Sequence, residues 1–124
     1  MTVFKIKRIY EPAEKADGRR VLVDRLWPRG VKKNSIPVDA WQKDLAPTGN
    51  LRSWYKHDPA KWEEFQLRYL LELKHNPAVE DFLRATAGEQ SITLLYAAKD
   101  KEHNHTLVLQ RILEEMSGSV IVPR

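Results

Sequence analysis

Two segments of the sequence carry residue types that bind anions. The first, DRLWPRG, follows an apolar run and places Arg25 and Arg29 around Trp27 and Pro28. Arginine presents a planar fork of donors that suits a phosphate or a carboxylate, and Gly30 lets a ligand approach the backbone closely. We therefore predict that this segment forms part of an anion-binding pocket. The competing interpretation is a solvated loop in which Arg25 pairs with its neighbours and Trp27 fills the core.

The second segment, AAKDKEHNH, lies between a predicted strand and the last predicted helix. The free N–H groups at a helix N-terminus attract anions, so this helix end and His105 would complete the wall of the pocket. Lys99 would add positive charge. Tyr96, at the end of the strand, could hydrogen-bond a ligand or belong to the core. The expected ligand is a small anion, first of all a nucleotide or a related phosphate.

Two of these residues could also perform acid–base chemistry. His105 can titrate near neutrality, and Asp24 could act as a base or orient the arginines. A hydrolytic step with water, His105 and Asp24 is one option, but turnover stays open because the sequence has no Walker loop, dinucleotide glycine run or nucleophile elbow. Asp100, His103 and His105 could suggest a metal, yet no second cluster completes a ligand set. We predict no metal and no cofactor.

The composition limits the classes of protein to consider. The chain has 124 residues, of which 42% are hydrophobic and 31% charged, as expected for one globular domain over residues 1–124. Residues 119–124 are either a tail or an added strand. Without cysteine, the chain has no disulfide, thiolate metal site or thiol nucleophile. No signal peptide or membrane-spanning apolar run is present, so we expect a cytoplasmic protein without a membrane partner.

The positive charge is concentrated near the N-terminus. Residues 1–33 hold ten basic and four acidic side chains, a net charge of +6, whereas the remaining residues hold 11 basic and 13 acidic ones, or −2. This asymmetry indicates an anionic partner for the first quarter of the chain. One alternative to the small-ligand pocket is therefore non-catalytic nucleic-acid binding, with Trp27, Trp41 and Trp54 stacking on bases. Another is a protein-interaction module that uses exposed Trp41 or Trp54.

The apolar periodicity predicts alternating strands and helices. Strands are expected over residues 3–9, 20–25 and 91–98, and helices over 50–57, 58–74, 77–87 and from the HNH segment to Gly118. The continuous Val-Leu-Val of the second strand is typical of a strand buried on both faces. For residues 34–50 the pattern does not decide between a short strand and a turn of helix. The fold class predicted is α/β, a three-layer domain with a small, mostly parallel sheet flanked by helices, Rossmann-like at low resolution.

Sheet geometry explains why the two basic segments belong together. In open α/β sheets, ligands bind in the crevice outside the carboxyl ends of the strands. Both segments follow such ends, so parallel strands would bring them to the same edge of the sheet. Arg25 and Arg29 would then face Lys99 and His105.

Three segments resemble the YeaO-like family of bacterial proteins: KRIYEPAEKADGRRVLVDRLWPRGVKK, TLLYAAKD and NHTLVLQRIL. The likeness runs from about Lys7 to about Leu113, with the same order and spacing of segments. The family is a small cytosolic group classed as a domain of unknown function, so the resemblance implies an α/β fold but no activity. It also implies that the family signature includes Arg25, Trp27, Pro28, Arg29 and Gly30. Thiol chemistry of longer, cysteine-containing relatives is not carried over to this chain.

Overall fold

The computed structural model describes residues 2–118, and these form a four-stranded parallel sheet with four α-helices. The strands are β1 (Val3–Arg8), β2 (Arg19–Leu22), β3 (Ala40–Trp41) and β4 (Ser91–Tyr96), arranged in the order β1-β4-β2-β3. The helices are α1 (Gly49–Tyr55), α2 (Trp62–Lys74), α3 (Pro77–Ala85) and α4 (His105–Ser117). The predicted α/β class and the parallel sheet are confirmed.

The central position of β4 follows from its sequence. Residues Ile92 to Tyr96 are all buried, as expected for a strand with neighbours on both sides and covered faces. Leu94 pairs with Ile6 of β1 on one side and with Val21 of β2 on the other. This register brings the carboxyl ends of the three strands to one edge of the sheet, where the chain leaves each strand in a loop.

The four helices pack on one face of the sheet around the larger apolar cluster. Alternate residues of the strands point into this cluster, among them Phe4, Val21, Ile92 and Leu94. The stripe of α2 that the sequence predicts is buried here, and its Tyr69 donates a hydrogen bond of 2.6 Å to the carbonyl of Leu45. That bond satisfies the buried phenol and fixes the loop before α1.

Loops and a short 3₁₀ helix cover the opposite face of the sheet. A small apolar cluster forms here from Ile9, Leu22 and Leu95, with partly buried Trp27, Ile36 and Val38 packed against it. Among residues 2–118, the third layer therefore lacks a long helix. It consists instead of the segments on either side of β2, and it includes the 3₁₀ helix Lys15–Asp17.

Asp17 connects this covering layer to the sheet. Its carboxylate pairs with Lys7 at 2.7 Å and with the buried guanidinium of Arg20, and its carbonyl accepts a hydrogen bond from Thr93 at 2.6 Å. Burial alone would raise the pKa of Asp17, but the hydrogen bonds from Lys7, the Glu14 backbone and Arg20 outweigh it and lower the pKa to about 2. Asp17 is therefore charged and structural.

Helix boundaries follow the predicted signals closely at α4. The side chain of Asn104 accepts a hydrogen bond of 2.9 Å from the amide of Thr106, and Gly118 ends the helix with φ of +75°. The helix predicted from residue 58 begins instead as the 3₁₀ turn Pro59–Lys61, capped by Asp58, and continues as α2. Asn76 caps α3, and its side-chain oxygen accepts a hydrogen bond of 3.0 Å from the amide of Ala78.

Other segments differ from the sequence-based expectation. β2 ends at Leu22 rather than at residue 25, although the amide of Val23 still donates to Leu95 at 3.1 Å. The undecided segment 34–50 contains both alternatives, β3 and the 3₁₀ helix Lys43–Leu45. The tail 119–124 lies outside the described residues. No helix within residues 2–118 is long and apolar enough to cross a membrane.

Candidate functional site

A cavity of about 570 Å³ opens at the carboxyl edge of the sheet. Its residues come from the ends of β2 and β4, the loop before α1, the C-terminal part of α1 and the first residue of α4. Strand order explains this meeting, because β2 and β4 are parallel neighbours and end at the same level. The cavity lies where ligands bind in open parallel sheets.

Asp24 and His105 form a half-buried pair in this cavity. The Asp24 Oδ1 lies 3.4 Å from the His105 Nε2, and the two side chains are 18% and 14% exposed. The other carboxylate oxygen, Oδ2, accepts a hydrogen bond of 3.0 Å from the amide of Ala97. His105 Nε2 also lies 2.9 Å from the carbonyl oxygen of Val23. Since a carbonyl oxygen only accepts, Nε2 carries a hydrogen and donates it to Val23.

Burial changes the pKa of both partners. It raises the pKa of Asp24 above its usual value, against the opposing effects of His105, the Ala97 amide and Arg52. It lowers the pKa of His105, and the charge of Asp24 only partly opposes this shift. In each case removal from water penalises the charged form. Burial therefore favours the neutral form of Asp24 and of His105 more than would be the case for exposed side chains.

Positive charge surrounds this pair. Among the described residues that line the cavity, Asp24 is the one carboxylate. The cationic residues on the same wall are Arg25, Arg29, Arg52 and Lys56. Such an excess of cations in a concave site attracts anions and raises their local concentration.

Arg25 bonds to the protein itself. Its Nε donates to the carbonyl of Pro47 at 2.9 Å, and its Nη2 donates to the carbonyl of Ala46 at 3.1 Å. These two bonds tie the loop before α1 to the end of β2. Arg25 therefore shapes the cavity wall and has fewer donors left for a ligand than the sequence predicted.

The rest of the DRLWPRG segment has mixed roles. The Arg29 side chain is exposed and lines the cavity, while its carbonyl accepts a hydrogen bond of 3.0 Å from Tyr10. Trp27 lines the cavity too, but its indole donates to the Val31 carbonyl at 2.6 Å and its ring meets Trp41 edge-on at 5.4 Å. Trp27 is thus partly a packing residue, as the competing interpretation proposed.

Three residues predicted for the site lie away from the cavity wall. Gly30 occupies a turn with φ of +79° and open space around it. Tyr96 is buried at the end of β4, and burial raises its pKa. Lys99 is exposed outside the lining residues. The predicted residues that the structure does bring together are Asp24, Arg25, Trp27, Arg29 and His105.

The sequence analysis did not assign a role to α1, which contributes much of the wall. Arg52, Lys56 and His57 line the cavity, and Arg52 and His57 act electrostatically on both Asp24 and His105. Arg52 lies within α1, and Lys56 and His57 follow directly after its end. The cluster of basic side chains at the end of this short helix was the signal that could have identified them.

The α1 end has an unusual backbone. Lys56 and His57 have φ of +48° and +55°, in the left-handed region that residues other than glycine rarely adopt. Tyr55 fixes this turn, because its ring stacks on Phe65 at 4.2 Å and its hydroxyl donates to the His103 carbonyl at 2.7 Å. Burial raises the pKa of Tyr55 to about 12, so the phenol stays protonated as this donor. Strained turns of this kind occur often at binding sites.

Metal ligands are not gathered at the cavity. Within residues 2–118, no three His, Asp, Glu or Cys side chains lie in an arrangement that could hold a metal ion. His103, which the sequence analysis considered as a ligand, has its Nδ1 2.9 Å from Asp100 Oδ2 and its ring against Trp62. It belongs to the loop structure before α4.

Comparisons with known proteins agree with the resemblance seen in the sequence. The chain is 44% identical over 103 residues to the uncharacterized protein YeaO of Escherichia coli K12, covering 83% of this chain and 90% of that protein. It is 39% identical over 112 residues to the uncharacterized protein Rv3073c of Mycobacterium tuberculosis H37Rv, covering 90% of this chain and 94% of that protein. No solved structure matches the chain. The family described as the inactive DUF488-N3 subclade matches residues 3–119, and the chain belongs to this YeaO-like family.

Proposed function

We propose that the cavity binds a small, phosphate-bearing anion and does not turn it over. The observation that carries this proposal is the charge of the wall, which has four cationic side chains and a single carboxylate in the described part of the chain. The volume of about 570 Å³ falls within the range of small-molecule sites, roughly 300–1,000 Å³. A ligand larger than a bare phosphate would fit.

Arg29 and Arg52 are the proposed anion clamps. Both side chains are exposed at the cavity, and within residues 2–118 neither guanidinium has a hydrogen bond or an ion pair with the protein. Their donors are therefore free for a phosphate, which suits the bidentate geometry of arginine. Arg25 differs because its donors hold the Ala46 and Pro47 carbonyls.

Binding without turnover is supported by the family and by the composition. The matching family is described as an inactive subclade, and the chain has no cysteine that could act as a nucleophile. His105 donates to the carbonyl of Val23, Asp24 accepts from the amide of Ala97, and the two side chains lie 3.4 Å apart. In this proposal they position and contact the ligand rather than move a proton in a reaction.

The alternative of nucleic-acid binding has less support. Of the ten basic side chains in residues 1–33, five bond to protein groups. These five are Lys5, Lys7, Arg8, Arg20 and Arg25. Trp27 and Trp41 pack against each other, and Trp54 stacks with Lys61 and Arg68 on the helical side. The tryptophans therefore do not share one surface for stacked bases.

The test is an isothermal calorimetric titration of the purified protein with inorganic phosphate, ribose 5-phosphate and adenosine monophosphate. Arg52→Ala and Arg29→Ala should each weaken binding about tenfold or more, because a hydrogen bond to a charged group contributes about 1.5–3 kcal/mol. Lys99→Ala is the matched control, since it removes an exposed cation near the site but off the wall. It should change affinity less than about twofold.

Three results would count against the proposal. They are no binding of any of the phosphates at millimolar concentration, equal binding in all variants, or an equal loss in Lys99→Ala. Binding of a short single-stranded oligonucleotide alone, with affinity falling steeply as salt increases, would favour the nucleic-acid alternative.

A further inference from the structure

The deep part of the cavity and its rim have opposite hydrogen-bonding character. The rim carries the exposed cations Arg29, Arg52 and Lys56, which only donate. Deeper in, the less exposed Asp24 and His105 offer a carboxylate and an imidazole. A single ligand that fits both parts must accept hydrogen bonds at one end and donate them at the other.

His105 presents an acceptor because of the way its ring is held. Nε2 donates to the Val23 carbonyl at 2.9 Å, so the hydrogen of the neutral ring is on Nε2. Nδ1 has no hydrogen-bond partner within residues 2–118. It is not fully enclosed by protein atoms and keeps some solvent-accessible surface. Burial lowers the pKa of His105, which keeps the ring neutral and Nδ1 unprotonated at neutral pH.

Asp24 adds a second acceptor, next to the other ring nitrogen of His105, Nε2. Its Oδ2 accepts one hydrogen bond, from the Ala97 amide, and its Oδ1 lies 3.4 Å from His105 Nε2. A carboxylate offers about four acceptor positions, so lone pairs remain for a ligand. An ammonium group is a poor match here despite the carboxylate, because Arg25, Arg52 and Lys56 line the same cavity. A neutral hydroxyl donates without this repulsion.

We propose that the ligand is a polyol phosphate, a phosphate monoester whose far end carries hydroxyl groups. The phosphate binds Arg29 and Arg52 at the rim, and the hydroxyls donate to the Asp24 carboxylate and to His105 Nδ1. This inference rests on the proposed function and adds the class of ligand to it. It assigns the Asp24–His105 pair to hydroxyl recognition.

The experiment compares esters that differ only in hydroxyl groups. Glycerol 3-phosphate is paired with propyl phosphate, and ribose 5-phosphate with tetrahydrofurfuryl phosphate, so charge and carbon skeleton are matched in each pair. The wild-type protein should bind at least one polyol ester about tenfold more tightly than its partner. In His105→Phe this ratio should fall below about threefold.

The outcomes separate the inference from the proposed function. Equal affinity for both members of both pairs in the wild-type protein overturns the polyol inference and leaves anion binding intact. Absence of binding to all four esters overturns both. The wild-type comparison needs no substitution, so it remains decisive even if His105→Phe does not fold. If that variant does fold and keeps the full hydroxyl preference, His105 has no part in recognising the hydroxyls.

Discussion

His105 Nε2 lies 2.9 Å from the carbonyl oxygen of Val23 and 3.4 Å from the carboxylate of Asp24, joining the first residue of α4 to the end of β2. The two segments are neighbours because β2 and β4 pair in parallel and the chain passes from β4 to α4 through one loop. The contact therefore forms only when this edge of the sheet is assembled, and it also belongs to the cavity.

The titration of His105 tests this arrangement. We expect its pKa below the ordinary 6.5, because burial disfavours the imidazolium. A lowered pKa in the folded state means that His105 supports the fold above about pH 6.5, and that this support is lost as the pH falls from there toward the folded pKa. NMR titration of the imidazole measures the pKa directly.

Asp24→Asn provides the control for this titration. The carboxylate of Asp24 raises the pKa of His105, so its removal should lower that pKa further. An upward change would contradict the assignment of Asp24 as the charge that raises the pKa of His105.

Substitution of Arg25 should lower the free energy of unfolding much more than substitution of Arg29. Arg25→Ala removes two hydrogen bonds from a charged group to the Ala46 and Pro47 carbonyls, and we expect a loss of about 3 kcal/mol in the free energy of unfolding. Arg29→Ala removes an exposed side chain and should change it by less than about 0.5 kcal/mol. Urea denaturation gives both values. Equal losses would mean that Arg29 is structural and would weaken its assignment as an anion clamp.

Gly18 and Gly30 have positive φ but different surroundings. A Cβ at Gly18 would lie 2.4 Å from the backbone oxygen of Ser91, whereas a Cβ at Gly30 would meet no atom within 4 Å. Gly18→Ala should therefore cost about 3 kcal/mol or more from strain and overlap, and Gly30→Ala about 1–2 kcal/mol from strain alone. Thermal unfolding of the two variants makes the comparison. Similar costs would show that the contact with Ser91 can relax.

Asp17→Asn should destabilise the covering layer of the sheet. Asp17 neutralises the buried Arg20, whose Nη2 already lacks a partner among residues 2–118, so we expect a loss of about 3–5 kcal/mol at neutral pH. The pKa of Asp17 is about 2 against an ordinary 3.8. Its contribution is complete above about pH 3.8 and is lost as the pH falls to about 2.

Urea denaturation at several pH values tests this expectation, and Asp81→Asn is the matched control. Asp81 pairs with Arg84 on the surface at 3.3 Å, with both side chains more than 70% exposed. Its substitution should cost less than about 1 kcal/mol. If Asp17→Asn costs no more than Asp81→Asn, the buried pair does not stabilise the fold.

Local patterns were enough to predict the parts of the fold that depend on neighbouring residues. The Val-Leu-Val of β2 identifies a buried strand, and Gly118 identifies the end of α4, without knowledge of the rest of the chain. The sheet edge that joins Asp24 to His105 followed from the rule for parallel strands.

The remaining features depend on contacts between distant segments. Arg25 looked like a ligand-binding arginine, because nothing local shows that its donors meet the Ala46 and Pro47 carbonyls. Arg52 and Lys56 enter the cavity because Tyr55 stacks on Phe65 of α2 and holds the end of α1 against the site. Short helices and irregular segments are placed by such packing rather than by their own sequence pattern.

The position of β4 between β1 and β2 determines when the sheet can form during synthesis. β4 is the last strand in the described chain, yet it supplies the pairing partner of both earlier long strands. A nascent chain that has not reached Ser91 holds β1 unpaired and β2 paired only with the two residues of β3. Because such long-range pairing slows folding, we expect the apolar faces of β1 and β2 to stay exposed until residues 91–96 have been synthesised.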